Sequence, residues 1–537
     1  MSYSCFLSVL ALTVTLTQTE LSCSNVKFAY TTKGFDGVVP KDAINGEHLR
    51  ICKKGLTCCT EEMEHKLSTH SRAAFDKLLH NTIGELKDVF ETHTHKFDEF
   101  FRELMKISRK GFHDMFVRTY GQLYEQNSFL FSSMFDDLEK YYITGGVDLE
   151  DAMEDFFHRL YGKMFEVLNA QHRFDKRYMA CVNEQMTDLK PFGDVPSKLI
   201  LDIKRSFVAT RTFIQALSVG RDVLKNIMEV GPTPECSRAL MKMDYCAHCH
   251  GLPDLKPCSP YCLYVLNNCL INHISFGNEW TSFIDALISL VSKLENSYNI
   301  ESVLEPIDIK ISEAIMNFQE NGVAISKKLF EICGKPRLGK RHLSDQEIPL
   351  EKLKFLHNHG ARPTTAAGTS IERLVENLKK KTRKIKKFWQ DLPVKMCSHS
   401  QMEEGAKRCW DGNSEARNFN ASLKHVLTFK EVGENTIVNQ QILTLNLIRT
   451  KLSHAYKGLD VEWEDSDDSS SGSGSGSGFG GAAMVEDFED LFFSVPRALP
   501  TQKVPHSYQT TPSSTASLTN FSFKILMLIL LTKWTIS

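Results

Sequence analysis

Cysteine sets the strongest limit on what this chain can become. The 537 residues carry 15 of them. The first, Cys5, precedes the apolar run Phe6 to Leu16 (FLSVLALTVTL), which is too short to span a bilayer and is followed by the small and polar Thr17, Gln18 and Thr19. That is the pattern of a secretory signal peptide, expected here at residues 1–19. Fourteen cysteines remain: Cys23, Cys52, Cys58, Cys59, Cys181, Cys236, Cys246, Cys249, Cys258, Cys262, Cys269, Cys333, Cys397 and Cys409. An even number entering an oxidising compartment reads as a disulfide framework. Adjacent Cys58 and Cys59 cannot bridge one another without strain, so each should reach a distant partner. The densest stretch, CAHCHGLPDLKPCSPYC from Cys246 to Cys262, also has zinc-like spacing, with His248 and His250 close by. Thiolates in that compartment pair with each other, so disulfides are the reading taken and neither a metal nor a cofactor is expected.

Between the cysteines the apolar residues repeat with helical period. Met153, Phe156, Phe157, Leu160, Tyr161, Met164, Phe165 and Leu168 follow the i, i+3, i+4, i+7 rule, and Phe97, Phe100, Phe101 and Leu104 do so more briefly. A third stripe runs through Phe283, Ile284, Leu287, Ile288 and Val291. These stripes read as core. Few stretches alternate with a period of two, so the fold class is all-α and a sheet-based enzyme is not expected. No H-E-x-x-H or G-x-S-x-G occurs, and GKPRLGKR from Gly334 has Arg341 where a P-loop needs Ser or Thr. With 64 Lys+Arg against 66 Asp+Glu, there is no basic excess of the kind a nucleic-acid binder shows.

Composition marks the boundaries. A cysteine-rich helical core is expected at 20–333, an exposed loop rich in Pro and Gly at 334–370, the rest of the core at 371–459, and a disordered acidic, Ser/Gly-rich stalk at 460–514. Within the stalk, DVEWEDSDDSSSGSGSGSG sets Ser471, Ser473, Ser475 and Ser477 each before a glycine and just after an acidic run. Such serines are glycosaminoglycan acceptors: the glycine removes a side chain that would clash with the sugar, and carboxylates engage a basic transferase groove. The plain alternative is a flexible linker. Further on, Ser513, Ser514, Thr515 and Ala516 precede a polar spacer and the short apolar run FSFKILMLILL, well below the roughly 20 residues a spanning helix needs. That is a GPI attachment signal, with Ser514 as the attachment residue, Ser513 as second choice, and 515–537 removed. Asn420-Ala421-Ser422 is an N-glycosylation sequon, while Asn520-Phe521-Ser522 leaves with the tail.

The cysteine motifs also carry a family likeness. Cys246-x-x-Cys249-x-Gly251-Leu252, continuing through Pro257-Cys258-x-x-Tyr261-Cys262-x-x-Val265-x-x-Asn268-Cys269, resembles the glypican signature. GEHLRICKKGLTCC, from Gly46 to Cys59, is similar to the N-terminal cysteine motif of that family. The strings FDEFFREL, MFVRTYGQLY, LKPFGDVP, IDIKISEAIMN and RPTTAAGTS resemble the branch containing glypicans four and six. The resemblance implies an elongated, disulfide-stapled helical core paired as Cys23 with Cys58, Cys52 with Cys246, Cys59 with Cys249, Cys181 with Cys333, Cys236 with Cys269, Cys258 with Cys409, and Cys262 with Cys397. Spacing alone leaves that connectivity open. It further implies a protease site in the loop at Arg341, where Lys340-Arg341 supplies a dibasic pair but Leu338 replaces a basic residue. Asn268 stands where the family signature has Gly, a change that fits Asn's tolerance of left-handed backbone. The implied function is a GPI-anchored heparan sulfate proteoglycan on the outer leaflet, or in the extracellular space when shed. It would act as a co-receptor for secreted growth factors and morphogens of the Wnt, Hedgehog, FGF and BMP classes. A receptor or adhesion protein working through its core without sugar is the alternative.

One basic run stands apart. KKKTRKIKK, from Lys379 to Lys387, looks like a heparin-binding patch, yet Leu374, Leu378, Ile385, Phe388 and Trp389 around it suggest an amphipathic helix whose outer face is simply solvated.

Overall fold

A computed structural model describes residues 23–35, 37–53, 55–338, 371–399, 408–416 and 435–463. The first helix, α1 (Ser24–Thr32), leads into the two-residue ladder of β1 (Ile44–Asn45) with β2 (Leu56–Thr57). Thr60 then starts the longest element. Its side chain accepts from the Met63 N–H, and Glu61, Glu62 and Glu64 meet the positive end of the helix dipole. The helix α2 (Glu61–Tyr120) runs for 60 residues, about 90 Å at 1.5 Å per residue. Its buried face includes Leu67, Phe75, Leu79, Ile83, Phe90, Phe97, Phe101, Phe112 and Phe116.

After α2 come the single turn α3 (Gln122–Glu125), α4 (Ser128–Thr144) and α5 (Leu149–Leu168). The carboxylate of Asp148 caps α5 by accepting the N–H groups of Glu150 and Asp151 at 2.8 and 3.0 Å. Next are β3 (His172–Arg173), α6 (Lys176–Glu184), α7 (Met186–Leu189) and α8 (Val195–Ile227). Every residue of α8 from Ser206 to Phe213 is buried, as a helix surrounded by others must be. It lies close to α2 at Gly220, where a Cβ would meet the Phe90 ring at 2.8 Å.

The cysteine-rich segment folds as α9 (Pro234–Asp244), α10 (Cys246–Cys249) and α11 (Ser259–Cys269). Then follow α12 (Ile271–Glu295), α13 (Glu301–Leu304), α14 (Ile307–Ile332) and β4 (Arg337–Leu338). The last elements are α15 (Ile371–Ile385), α16 (Phe388–His399), β5 (Cys409–Trp410), β6 (Glu415–Ala416) and α17 (Thr436–Lys457). Helices α2, α8, α12 and α17 pack as a central bundle, with α9 to α11 and α16 toward the start of α2 and α4, α5 and α14 toward its end. The fold is all-α apart from three two-residue ladders among the described residues.

The fourteen cysteines form seven disulfides with Cα separations of 4.9 to 6.1 Å. They join Cys23 to Cys58, Cys52 to Cys246, Cys59 to Cys249, Cys181 to Cys333, Cys236 to Cys269, Cys258 to Cys409, and Cys262 to Cys397. All four cysteines with zinc-like spacing are therefore oxidised to distant partners. Beside them, the buried carboxylate of Glu64 accepts the backbone N–H groups of Arg50, Ile51 and Cys52 at 2.8 to 2.9 Å, fixing the loop that presents Cys52.

Two expectations need correction. Asn268 is helical, inside α11, and its amide donates to the Tyr264 carbonyl at 2.7 Å, so it uses no left-handed backbone. The basic amphipathic stretch is two helices rather than one. Trp280 and Thr281 of α12 donate to the carbonyls of Ile385 and Lys386 at 3.2 and 3.1 Å, which ends α15 before Phe388 and Trp389 begin α16. The segment after Cys333 starts attached, because Arg337–Leu338 pair antiparallel with His172–Arg173. The folded unit also runs to Trp463, four residues past the boundary expected at 459.

Burial decides how the fold meets acid. It pushes the imidazoles of His248 and His273 down to about 4, with Lys33 adding to the effect at His248. Both stay neutral in the fold while the unfolded chain takes up protons near pH 6.5, so their stability contribution is full above that value and is lost as pH falls toward 4. Asp244 acts with the opposite sign: burial pushes its carboxyl up to about 6 despite the hydroxyl of Ser71 at 2.6 Å, so its ionisation opposes folding as pH rises from about 4 to 6. With two histidines against one carboxyl, the melting temperature should fall between pH 6.5 and 4.5. The His273→Phe variant should lose less over that range; equal losses would remove His273 from the account.

Candidate functional site: an apolar cavity and the stalk exit

Where α2 ends, five elements leave a gap. A cavity of about 150 Å³ lies between α2, α3, α4, α5 and α14, walled by Phe116, Leu130, Phe131, Leu160, Met164, Val167, Leu168, Ile315 and Phe318. Met164 and Leu168 close the long stripe of α5; they are half-buried and face this gap, whereas Phe156, Phe157 and Tyr161 before them are core. Four of the polar side chains around the cavity are already engaged. The Tyr120 hydroxyl bonds Ser312 at 2.7 Å, Tyr124 bonds His113 at 3.0 Å, Lys163 bonds Glu166 at 2.7 Å, and Asn127 donates to the Leu123 carbonyl at 2.9 Å. Burial raises the pKa of both phenols, so they remain neutral. A gap walled mainly by apolar side chains suits an aliphatic occupant. No single segment signals it, because its walls come from five elements.

A second arrangement holds the point where the chain leaves the body. The Lys204 ammonium bridges Glu150 at 2.7 Å and Asp460 at 2.8 Å, and these hydrogen bonds raise its pKa. Trp463 lies with Lys451 4.6 Å from its ring centroid and the Arg211 guanidinium at 5.9 Å. Arg211 is buried in α8, where it donates to the Tyr142 carbonyl at 3.3 Å. Gly145 makes room for it, having a φ of +76° and a position where a Cβ would sit 2.7 Å from the guanidinium. The chain exit therefore depends on a glycine that ends α4.

These features can be set beside known proteins. The chain matches the family described as Glypican over residues 5–537. It is 34% identical to Glypican-1 of Gallus gallus over 457 residues, covering 83% of this chain and 82% of that protein.

The chain belongs to the glypican family.

Among solved structures, C-terminally truncated glypican-1 superposes with a TM-score of 0.73 at 32% identity, covering 82% of this chain and 100% of that one. The structure of Dally-like protein in complex with O-palmitoleoyl serine superposes with a TM-score of 0.64 at 36% identity, covering 82% of this chain and 99% of that one. This glypican is thus a relative of cell-surface heparan sulfate proteoglycans. Ser471, Ser473, Ser475, Ser477, Ser513, Ser514, Asn420 and Arg341 lie outside the described residues. The described unit ends at Trp463, eight residues before Ser471.

Two substitutions separate packing from anchoring. Gly145→Ala puts a methyl group against Arg211 on left-handed backbone and should destabilise the body by about 2 kcal/mol, read by chemical denaturation. Trp463→Ala should leave the midpoint nearly unchanged while amide exchange at 460–463 rises. Unchanged exchange there would mean that the tryptophan does not hold the exit.

Proposed function

We propose that this glypican is a GPI-anchored heparan sulfate proteoglycan that captures secreted ligands and presents them to receptors at the cell surface. The observation that carries this reading is the acid-flanked Ser-Gly tract just beyond the anchored Trp463. Heparan sulfate primed on Ser471, Ser473, Ser475 and Ser477 presents dense anionic charge. Basic ligands that displace its counterions bind with a steep salt dependence, by the physics that governs binding to other polyanions. Attachment at Ser514, or at Ser513 as second choice, confines the captured ligand near its receptors and raises its effective concentration without a new protein contact. Among the described residues no helix is long and apolar enough to cross a membrane. Family resemblance supports the Wnt, Hedgehog, FGF and BMP classes as ligands. Electrophoresis before and after heparinase tests the reading: a high smear should collapse to a sharp band, and replacing all four serines with alanine should abolish the smear. A sharp band throughout would favour a receptor acting through its core alone.

The cavity favours an added role for the core. Its apolar walls, together with the likeness to the Dally-like protein bound to O-palmitoleoyl serine, support insertion of the acyl chain of a lipid-modified ligand of the Wnt class. Filling the gap with Met164→Trp should weaken capture of an O-palmitoleoylated peptide at least tenfold, at a stability cost of about 1–3 kcal/mol. Capture by heparan sulfate should be unchanged. Undiminished peptide binding would remove the cavity from the proposal.

A further inference from the structure

The outward face of α15 carries more positive charge than its fold uses. The helix is seated on α2 and α12 by Ile371, Leu374, Val375, Leu378 and Thr382, all buried. The nine residues from Lys379 to Lys387 hold seven cations. Two have a structural partner: Lys379 pairs with Glu295 and Lys386 with Asp285, both on α12. A cation in the last turn also suits the negative end of the helix dipole. That leaves Lys380, Lys381, Arg383, Lys384 and Lys387 exposed, with no carboxylate among the described residues in ion-pair contact. Like charges at i, i+4 on a helix, such as Lys380 with Lys384, repel one another, so this clustering costs the free protein stability.

Helical geometry arranges the surplus. Lys380, Arg383 and Lys384 stand at i, i+3 and i+4 on α15, roughly 6 Å along its axis, and Lys387 adds a fourth exposed cation in the turn before α16. Lys381 leans toward α2, where it and the exposed Lys96 both act on His93, so the positive field covers parts of two helices. The cluster is open and shallow. It exposes no large apolar side chain for insertion into a bilayer and no aromatic ring for stacking on a base. A rigid row of cations with water on every side matches a linear polyanion that carries sulfates at repeated intervals.

We propose that the exposed end of α15 and the turn that follows it, with Lys380, Arg383, Lys384 and Lys387 at the centre, is a docking site for a sulfated glycosaminoglycan chain. The site requires no sugar on this chain's own serines: the docked polymer belongs to a neighbouring proteoglycan.

The test uses the full chain, purified from cells and digested with heparinase and chondroitinase, binding a fluorescent heparin oligosaccharide across a series of salt concentrations. Digestion removes any chains of its own, so failure of the stalk serines to carry sugar would leave this measurement unaffected. The variant Lys380→Gln/Arg383→Gln/Lys384→Gln/Lys387→Gln should bind at least tenfold more weakly. Its slope of log affinity against log salt should fall by about 3, from the loss of four phosphate-like contacts. A control with the same charge change elsewhere, Lys110→Gln/Lys140→Gln/Lys327→Gln/Lys328→Gln, should stay within twofold of wild type. Should the fourfold variant misfold by thermal unfolding, Lys380→Gln/Lys384→Gln should show about half the slope change. An unchanged slope, an equal loss in the control, or stronger binding to phosphatidylserine vesicles than to heparin would each overturn the proposal. Undigested protein should bind added heparin as tightly as digested protein; markedly weaker binding would identify its own chains as the occupant and overturn the assignment to an external chain.

Discussion

Sixty residues of continuous helix present an apolar stripe about 90 Å long, and α2 has no means of covering it alone. Most of this body follows from that need. Helix α8 covers the middle of the stripe, close enough at Gly220 that no side chain fits. Around α8, burial on all sides forces α12 and α17 into place, and the aromatic side chains of α2 meet rings from these neighbours. Phe90 meets Trp280 and Phe283, while Phe97 meets Phe213. At the far end α4, α5 and α14 close over Phe112 and Phe116 incompletely, and the gap they leave is the apolar cavity.

The ends of such a body are its weak points, and covalent and electrostatic constraints concentrate there. Bridges between Cys52 and Cys246 and between Cys59 and Cys249 close loops of nearly two hundred residues, each contributing roughly 2–4 kcal/mol if the gain is chiefly unfolded-state entropy. Glu64 positions Cys52 for its bridge by satisfying three successive backbone donors, which links a single carboxylate to the register of the cysteine-rich segment. The exit toward the stalk is held by charge and aromatic contact instead. Gly145 admits Arg211, and Arg211 with Lys451 faces Trp463.

The helical body was readable in the residues because periodicity is local: the Met153 to Leu168 stripe needs only its own spacing to declare a buried face. The even cysteine count and the Ser-Gly tract were readable for the same reason, since each is a property of composition or of adjacent residues. Connectivity was another matter. Nothing near Cys58 and Cys59 says that one turns to Cys23 and the other to Cys249; the family likeness suggested the pairs, and in the structure the folded path of the chain brings them together.

What the sequence by itself determined was therefore the secondary structure, the oxidised chemistry and the division between packed body and polar tract. Only the tertiary structure decided that Met164 and Leu168 line a gap instead of filling the core, and that Val461 and Trp463 pack on the body. It also decided that Lys379 and Lys386 are paired with α12 while their neighbours are exposed. The physical reason is distance along the chain. A periodic stripe is set by residues three and four apart, but a cavity, an anchor or an exposed cation is defined by partners on other elements, as Glu295 lies 84 positions from Lys379, and the packed fold alone brings them within reach.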